Sequence, residues 1–285
     1  MRVDSGVYFR PETVADAVRA LAAERLTILA GGTDLYASRT AHAIREAVLD
    51  VTGIRELRGI TEHGSHWRIG ATTTWSDIVE GRLPPFLRCL VSAAREVGGL
   101  QVQNAGTVAG NICNASPAAD GTPALMALDA QVELASENGR RLVPLEQFVL
   151  GSRKVAIEPG ELVTAVIVPR RVNGRSSFIK AGHRRYLVIS IAMVALVLDV
   201  DDAKTITYAR VAVGSCSAVA RRLASLERLL VGQSLSRRLL DDIPDEHLSP
   251  LSPIDDVRGS ADYRLDAVRT LVIRAYEEVV DEYAN

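Results

Sequence analysis

The chain has 285 residues, of which 47% are hydrophobic and 24% are charged, and its formal net charge is −2. These values are typical of a folded protein with one large or two medium domains, and the near-neutral charge gives no reason to expect nucleic acid or an anionic membrane as a partner. The three cysteines, Cys89, Cys113 and Cys216, form no Cys-x-x-Cys, so this chain is not expected to build an iron–sulfur or zinc site alone.

The sequence favours a cytoplasmic protein. Its first residues, Met1–Gly6, contain no apolar segment of the kind a signal peptide needs, and a few scattered cysteines fit a reducing compartment. The longest apolar run, Tyr186–Leu198, is shorter than the roughly 20 residues that cross a membrane, so we expect a buried strand there and no membrane span.

The first part of the chain predicts strands alternating with helices. A strand at 7–9 precedes a helix that runs to about Glu24 and opens on Thr13 and Asp16, a pattern similar to a capping box. The strand Leu26–Ala30 then leads into two glycines, and another strand follows at Ala47–Val51.

The middle of the chain predicts mixed helices and strands. Thr74 and Asp77 repeat the capping pattern, and a longer helix runs from Pro84 to about Val97, where two glycines stop it. Further elements are a helix near 124–128 and strands at 67–70, 131–135 and 161–169.

A charged turn at 170–175 predicts a domain boundary. After it we expect three antiparallel strands followed by helices, a small α+β unit, with the strands at 176–180, 191–199 and 206–213. The predicted helices span 218–230, 235–240 and 263–283, and 248–256 is expected to be irregular.

Two stretches have compositions that packing alone does not explain. The first follows a predicted strand and consists of Leu29, Ala30, Gly31, Gly32, Thr33, Asp34 and Leu35. Successive free amides in such a loop can bind an anion, although Gly31-Gly32 is also compatible with a simple tight turn. It is neither a Gly-x-Gly-x-x-Gly fingerprint nor a Walker A loop, which disfavours a Rossmann dehydrogenase and a P-loop NTPase.

The second stretch, Asn104–Asp120, is rich in glycine, asparagine and small residues. A structured Ω-loop with asparagines in left-handed geometry is one interpretation. Four polar side chains at short spacing instead favour a polyhydroxy ligand that supplies their hydrogen-bond partners: Asn111, Asn114, Ser116 and Asp120. We expect the two stretches to be loops that hold one diphosphate-containing cofactor.

These stretches resemble the two FAD-binding motifs of the molybdenum hydroxylases. The resemblance is to their FAD-binding medium subunit, of the xanthine dehydrogenase and carbon monoxide dehydrogenase flavoprotein type. It is carried by 29–35, by Gly106–Asn111 and by Ala115–Asp120, and it extends over almost the whole chain through Phe178–Lys180 and Val257–Arg264.

The resemblance implies an α+β fold. Residues 1–172 would be the FAD-binding domain, with two α+β subdomains (PCMH-like) at about 1–57 and 58–172 and FAD between them. Residues 173–285 would be the C-terminal flavoprotein domain, a small three-stranded antiparallel sheet with helices.

The same resemblance implies roles for individual residues. Residues 30–34, together with Thr107, Ala109, Gly110 and Asn111, would contact the diphosphate mainly through backbone amides, with Leu29 and Leu35 flanking the first motif. Asn114 and Asp120 would hold ribityl or phosphate-side oxygens, Ser116 is a further cofactor-binding candidate, and Leu162 or Val163 would lie against the flavin. The second motif and the residues before it differ from the family pattern in two ways. Ala109 replaces a usual glycine, and Gln103 and Ala105 stand where basic residues are common.

Lys180 has two interpretations. It is either a surface lysine on an edge strand or, as the resemblance implies, a cation close to the flavin that would stabilise its anionic reduced form. The second interpretation predicts that Lys180→Met lowers the reduction potential of the flavin.

The function implied by the resemblance is electron transfer in an oxidoreductase complex. This chain would carry FAD, a large subunit would carry molybdopterin, and a small subunit would carry two [2Fe-2S] clusters that pass electrons to the flavin. The final acceptor would be NAD⁺, a quinone or oxygen, and the complex would be a heterotrimer. Two alternatives remain open, a self-sufficient FAD oxidoreductase of a small molecule and an assembly subunit without cofactor.

Overall fold

The computed structural model describes residues 8–39 and 46–284, so Val7 of the first predicted strand lies outside the described residues. The helices are α1 (Val14–Ala23), α2 (Trp75–Glu80), α3 (Arg88–Glu96), α4 (Leu100–Ala105), α5 (Val108–Asn114), α6 (Gly121–Ala127), α7 (Leu145–Phe148), α8 (Ala224–Leu230), α9 (Asp245–Leu248) and α10 (Ala261–Ala284). The first strands are β1 (Tyr8–Phe9), β2 (Thr27–Leu29), β3 (Val48–Asp50), β4 (Ile60–Glu62), β5 (His66–Gly70), β6 (Gln131–Ser136) and β7 (Gly139–Pro144). The later strands are β8 (Val149–Gly151), β9 (Lys154–Val155), β10 (Leu162–Pro169), β11 (Arg175–Ala181), β12 (Ala192–Val200), β13 (Ile206–Gly214) and β14 (Arg221–Arg222).

Three sheets form the framework, and together with the helices they make the expected α+β fold. The first is a short parallel sheet of order β1-β3-β2, the second is antiparallel with order β4-β5-β10-β6-β7, and the third is antiparallel with order β11-β12-β13-β14. The strand β2 ends at Leu29, so the first glycine stretch begins at the end of a parallel strand. This is where α/β sheets commonly bind ligands.

Capping residues fix the starts of the first two helices. Thr13 accepts a hydrogen bond from the Asp16 amide at the start of α1. Thr74 and Asp77 form the complete capping box predicted for α2, with each side chain accepting from the other residue's amide. The helix that follows is shorter than expected, because a 3₁₀ turn at Pro85–Leu87 precedes α3.

The strand β12 lies between two hydrophobic cores. Its residues alternate between them: Met193, Ala195 and Val197 belong to the larger core, which includes α6, while Val194 and Leu196 pack in the core under α10. All five side chains are fully buried. The C-terminal sheet is therefore covered on one face by a helix of the N-terminal part and on the other by α10.

The structure corrects several predicted elements. The stretch 104–120, predicted to be a loop, contains the helix α5, which the side chain of Thr107 caps at the Gly110 amide and whose Val108 and Ile112 are buried. The predicted helix 218–230 begins only at Ala224, because 221–222 pair with β13 as a fourth strand. A short helix, α9, precedes the irregular segment.

The predicted division at residue 172 falls in the turn between β10 and β11 and stays a prediction. In the described part of the chain, no helix combines the length and apolar character that a membrane span requires.

Candidate functional site

A cavity of about 500 Å³ lies between the two glycine-containing stretches. One wall, here the first wall, is formed by residues 29–35 after β2. The opposite side, the second wall, is formed by residues 106–114 around the start of α5. Leu162 and Val163 of β10 contribute an apolar surface between them. The two stretches are 70 residues or more apart in sequence, yet the fold brings them to one cleft.

Glycine permits the close approach of the two walls. A Cβ atom on Gly31 would lie 1.8 Å from the carbonyl oxygen of Ala105, the residue directly before the second wall. Gly32 has a φ of +69°, and a Cβ there would lie 2.5 Å from the ring of Tyr36. A side chain at Gly31 would therefore separate the walls, and one at Gly32 would strain the turn.

The amides of the first wall are available to a ligand. Within the described residues, the backbone N–H groups of 31–35 donate to no protein oxygen. The next amide, that of Tyr36, donates to the Gly32 carbonyl at 3.0 Å. Five successive amides without protein acceptors, in a loop that lines a cavity, form a concave surface suited to an anion.

The second wall supplies further unpaired polar groups. The amides of Thr107 and Ala109 have no acceptor among the described residues, whereas the Gly110 amide donates to the Thr107 hydroxyl at 3.0 Å. The Oδ1 atom of Asn111 is buried at the cavity without a hydrogen-bond partner. A buried acceptor in this position is suited to a ligand hydroxyl.

The remaining lining is mostly apolar. Leu162 and Val163 are nearly buried, and a register shift in the pairing of β10 with β6 follows Val163. Trp75, Val97 and Val102 also line the cavity, although the sequence motifs did not indicate them. Trp75 and Val97 were predicted only as parts of packed helices, and no pattern distinguished Val102.

Fourteen of the seventeen predicted residues line this cavity, and three do not. The lining residues are Leu29, Ala30, Gly31, Gly32, Thr33, Asp34, Leu35, Thr107, Ala109, Gly110, Asn111, Asn114, Leu162 and Val163. Ser116 instead accepts a hydrogen bond from the Ala118 amide at 3.3 Å.

Asp120 and Lys180 pair with each other outside the cavity lining. The ammonium of Lys180 lies 3.2 Å from both carboxylate oxygens of Asp120 and 3.7 Å from a carboxylate oxygen of Glu96, and the Lys180 side chain is 6% exposed. Ser190 donates a 2.7 Å hydrogen bond to Asp120. Burial raises the pKa of Asp120, and the attraction of Lys180 opposes this effect. Lys180 is thus not the surface lysine of the first interpretation, and its role towards the flavin stays a prediction.

Arg153 is a polar residue of this region that sequence reasoning missed. It lies between β8 and β9, and its guanidinium contacts Asp34 at 3.2 Å and also the side-chain oxygen of Asn114. Asn114 in turn donates to Asp34 at 3.1 Å. Because the β8–β9 hairpin has no clear alternation in sequence, no signal connected Arg153 with the two motifs.

A larger groove of about 680 Å³ lies between α2, α3 and α10. Its lining combines the carboxylates of Glu278, Asp281 and Glu282 with Arg88 and Arg95, and Arg88 is already paired with Glu282. It also contains neither of the two glycine stretches. The smaller cavity, which both glycine stretches line, is therefore the candidate for the cofactor site.

Comparison with known families decides the assignment. Residues 2–171 match the model of the FAD-binding domain in molybdopterin dehydrogenase, and residues 177–279 match that of the CO dehydrogenase flavoprotein C-terminal domain. The chain belongs to the family of FAD subunits of molybdopterin dehydrogenases. It is accordingly an oxidoreductase subunit that carries FAD.

Similar proteins cover the whole length of this FAD subunit. A protein described as a putative xanthine dehydrogenase FAD-binding subunit of Escherichia coli K12 is 31% identical, over 97% of both chains. The carbon monoxide dehydrogenase medium chain of Hydrogenophaga pseudoflava is 30% identical, over 94% of both chains. A solved structure of carbon monoxide dehydrogenase from the same organism superimposes with a TM-score of 0.88, at 29% identity and 98% coverage of both chains.

The residues present fit FAD. The unpaired amides of both walls suit its diphosphate, the orphaned Oδ1 of Asn111 suits a hydroxyl, and the apolar side chains of Leu162 and Val163 suit an aromatic ring. A Cβ atom at Gly31 or Gly32 would clash with neighbouring atoms, so glycine at these positions keeps the backbone accessible. The hydrogen-bonding groups of the cavity, its shape and the family of this FAD subunit are therefore all consistent with FAD as the ligand.

Proposed function

We propose that this chain is the electron-transfer subunit of a molybdopterin-dependent hydroxylase or dehydrogenase. It receives electrons from the [2Fe-2S] clusters of a small partner subunit and passes them to NAD⁺ or another acceptor, while a large molybdopterin subunit oxidises the substrate. FAD supplies an electron carrier that handles both one- and two-electron changes. The complex is a heterotrimer, and we place it in the cytoplasm.

The cavity between the two walls is the observation that carries this proposal. The amides of residues 31–35, Thr107 and Ala109 hold the diphosphate, and Asn111 accepts a hydrogen bond from a cofactor hydroxyl. Leu162 and Val163 lie against the ring system and keep water from it. Asn114 lines the cavity beside Asp34, where it would face ribityl or phosphate-side oxygens.

The separation of cofactors between subunits has support in this chain's own residues. Among the described residues, no group of three or more His, Cys, Asp or Glu side chains is arranged to hold a metal ion. All three cysteines are free, and burial raises the pKa of the Cys89 thiol to about 12. The proposal assigns the iron–sulfur clusters to the small partner.

Several relatives carry names that fit a multisubunit assembly. One is called the glyceraldehyde dehydrogenase medium chain of Sulfolobus acidocaldarius and another the nicotine 6-hydroxylase medium subunit of Paenarthrobacter nicotinovorans. Their different substrates support the view that substrate choice belongs to another subunit of the complex.

Affinity purification of the tagged chain from its native host tests the proposal. We expect two further subunits to co-purify, with FAD, iron and molybdenum in the complex, and we expect the complex to reduce an acceptor such as NAD⁺ or a quinone. A flavin-containing chain that oxidises a small molecule without partners would contradict the proposal and favour a self-sufficient enzyme. A partner-bound chain without flavin would favour an assembly role.

A further inference from the structure

Arg153 is placed to act on the cofactor site although it belongs to neither motif. Its guanidinium lies 3.2 and 3.3 Å from the two carboxylate oxygens of Asp34, a residue of the first wall. The same nitrogen contacts the side-chain oxygen of Asn114, at the end of the second wall. One side chain thereby bridges both sides of the cavity.

Backbone contacts hold Arg153 in this position. Its amide donates a 2.9 Å hydrogen bond to the carbonyl of Ala115, the residue that ends α5. Both residues have positive φ angles, 58° at Arg153 and 47° at Ala115. These conformations are unusual for non-glycine residues and here allow the β8–β9 turn to meet the end of the second wall.

The charge of Asp34 presents a problem that Arg153 resolves. Five unpaired amides make the first wall attractive to a diphosphate, yet Asp34 places a carboxylate among them. An unbalanced negative charge there would repel the diphosphate. Within the described residues, Arg153 is the cation that forms an ion pair with Asp34.

We propose that Arg153 is a positioning residue for FAD that acts through Asp34. By neutralising this carboxylate, it leaves the amides of the first wall free to bind the diphosphate without electrostatic opposition. This inference rests on the proposed binding of FAD between the two walls.

Titration of the full-length, flavin-free chain with FAD tests the inference. Binding is measured as the quenching of FAD fluorescence. We expect Arg153→Met to raise the Kd for FAD about three- to tenfold at low ionic strength, because both groups are half exposed and water weakens their field. Asp34→Asn alone leaves Arg153 unbalanced, so binding should tighten. The double variant removes both charges, so its Kd should return to within about twofold of the wild-type value.

Salt and stability measurements separate this role from a purely structural one. The difference in Kd between Arg153→Met and wild type should shrink as salt screens the exposed charges. The melting temperature of the chain without flavin should change little, since an exposed ion pair contributes little to stability. Arg237→Met is the matched control, because Arg237 has the same 57% side-chain exposure and pairs with acidic residues of α10, outside the cavity lining.

Each outcome decides the inference. An unchanged Kd in Arg153→Met, or a double variant that binds as weakly as Arg153→Met, would overturn it. If Arg153→Met does not fold, Arg153→Gln carries the same expectation in both backgrounds. A wild-type chain that binds no FAD would overturn the proposed function as well, whereas normal wild-type binding with an unaltered Arg153 variant would overturn this inference alone.

Discussion

Lys180 and Asp120 form a buried ion pair in which the lysine Nζ lies 3.2 Å from each carboxylate oxygen. Lys180 is on β11 of the C-terminal sheet, and Asp120 directly precedes α6 of the N-terminal part. The Lys180 side chain is 6% exposed and that of Asp120 11%. The pair therefore connects the two parts of the chain, outside the lining of the cavity.

Replacing Lys180 with methionine should destabilise the fold at neutral pH. Asp120 would then be buried near Glu96 without its cation, and loss of one partner of a buried pair costs about 3 kcal/mol in the free energy of unfolding. The pKa of Asp120 is already raised by burial. The stability that Lys180→Met loses relative to the wild type should therefore decrease at acidic pH, where the carboxyl is protonated. Urea denaturation across a pH series measures this dependence.

The control for this experiment is Lys204→Met, because Lys204 is exposed and its ammonium contacts Tyr283 near the end of the C-terminal helix. In Lys180→Met/Asp120→Asn, where no buried charge is left unpaired, part of the lost stability should return. Lys180→Met alone should also lower the reduction potential of the flavin. An unchanged potential would remove the predicted role of Lys180 towards the flavin.

Gly31→Ala should abolish or strongly weaken FAD binding. The added methyl group would lie 1.8 Å from the Ala105 carbonyl oxygen, so the first and second walls must separate. Equilibrium titration with FAD measures the effect, which we expect to exceed about tenfold, a loss of roughly 1.4 kcal/mol.

Gly64→Ala is the matched substitution, because a Cβ at Gly64 meets nothing within 4 Å. It should bind FAD as the wild type does. Equal affinities in the two alanine variants would contradict the close approach of the walls at Gly31.

Asp129→Asn should weaken the connection between the two parts of the chain. Asp129 accepts hydrogen bonds from Tyr208, Arg210 and Arg222, all on the C-terminal sheet. Without the carboxylate, Arg210 loses its charged partner and Arg222 keeps only Glu227, at a cost of about 2 kcal/mol in the free energy of unfolding. Asparagine tolerates the positive φ of 51° at this position, so the effect should come from the charge.

The stability lost in Asp129→Asn should depend on pH with a defined sign. Burial favours the neutral acid, but hydrogen bonds from Arg210 and Tyr208 outweigh it and lower the pKa of Asp129. The stabilisation is therefore present above the unfolded pKa of about 4 and is lost as the pH falls through the lower folded pKa. Thermal unfolding of wild type and variant should converge in acid, and a constant difference would argue against this origin. Asp202→Asn, in the exposed turn before β13, is the control.

Ala109→Gly tests the one departure from the family's glycine pattern that lies within the cavity lining. Ala109 is nearly buried in the first turn of α5, so glycine should cost about 0.5–1 kcal/mol in stability through backbone entropy. Its amide has no protein acceptor with either side chain, so we expect the Kd for FAD to change by less than about twofold. A larger change would show that the methyl group alters the approach of the diphosphate.

The sequence indicated the fold best where the pattern was long or chemically specific. The capping box of Thr74 and Asp77, the long strand β10 and the C-terminal helix α10 were all predicted within a few residues of their observed bounds. The helix α5 was missed because glycine and asparagine have low helix propensity, and the tertiary burial of Val108 and Ile112 overrides it.

The candidate site was predictable only where it consists of contiguous motifs. Residues 29–35 and the first half of the second motif do meet at one cavity. Lys180 and Asp120 lie together away from its lining, a pairing that no local pattern encodes. Arg153 reaches Asp34 across 119 residues of sequence through an irregular hairpin, so only the three-dimensional structure connects them.

Titration of the flavin-free full-length chain with FAD tests the central claim most directly. We predict saturable binding of one FAD per chain and visible flavin absorption in the purified complex. A folded wild-type chain that does not bind FAD at any concentration would contradict the assignment of the cavity between residues 29–35 and 106–114 as the cofactor site.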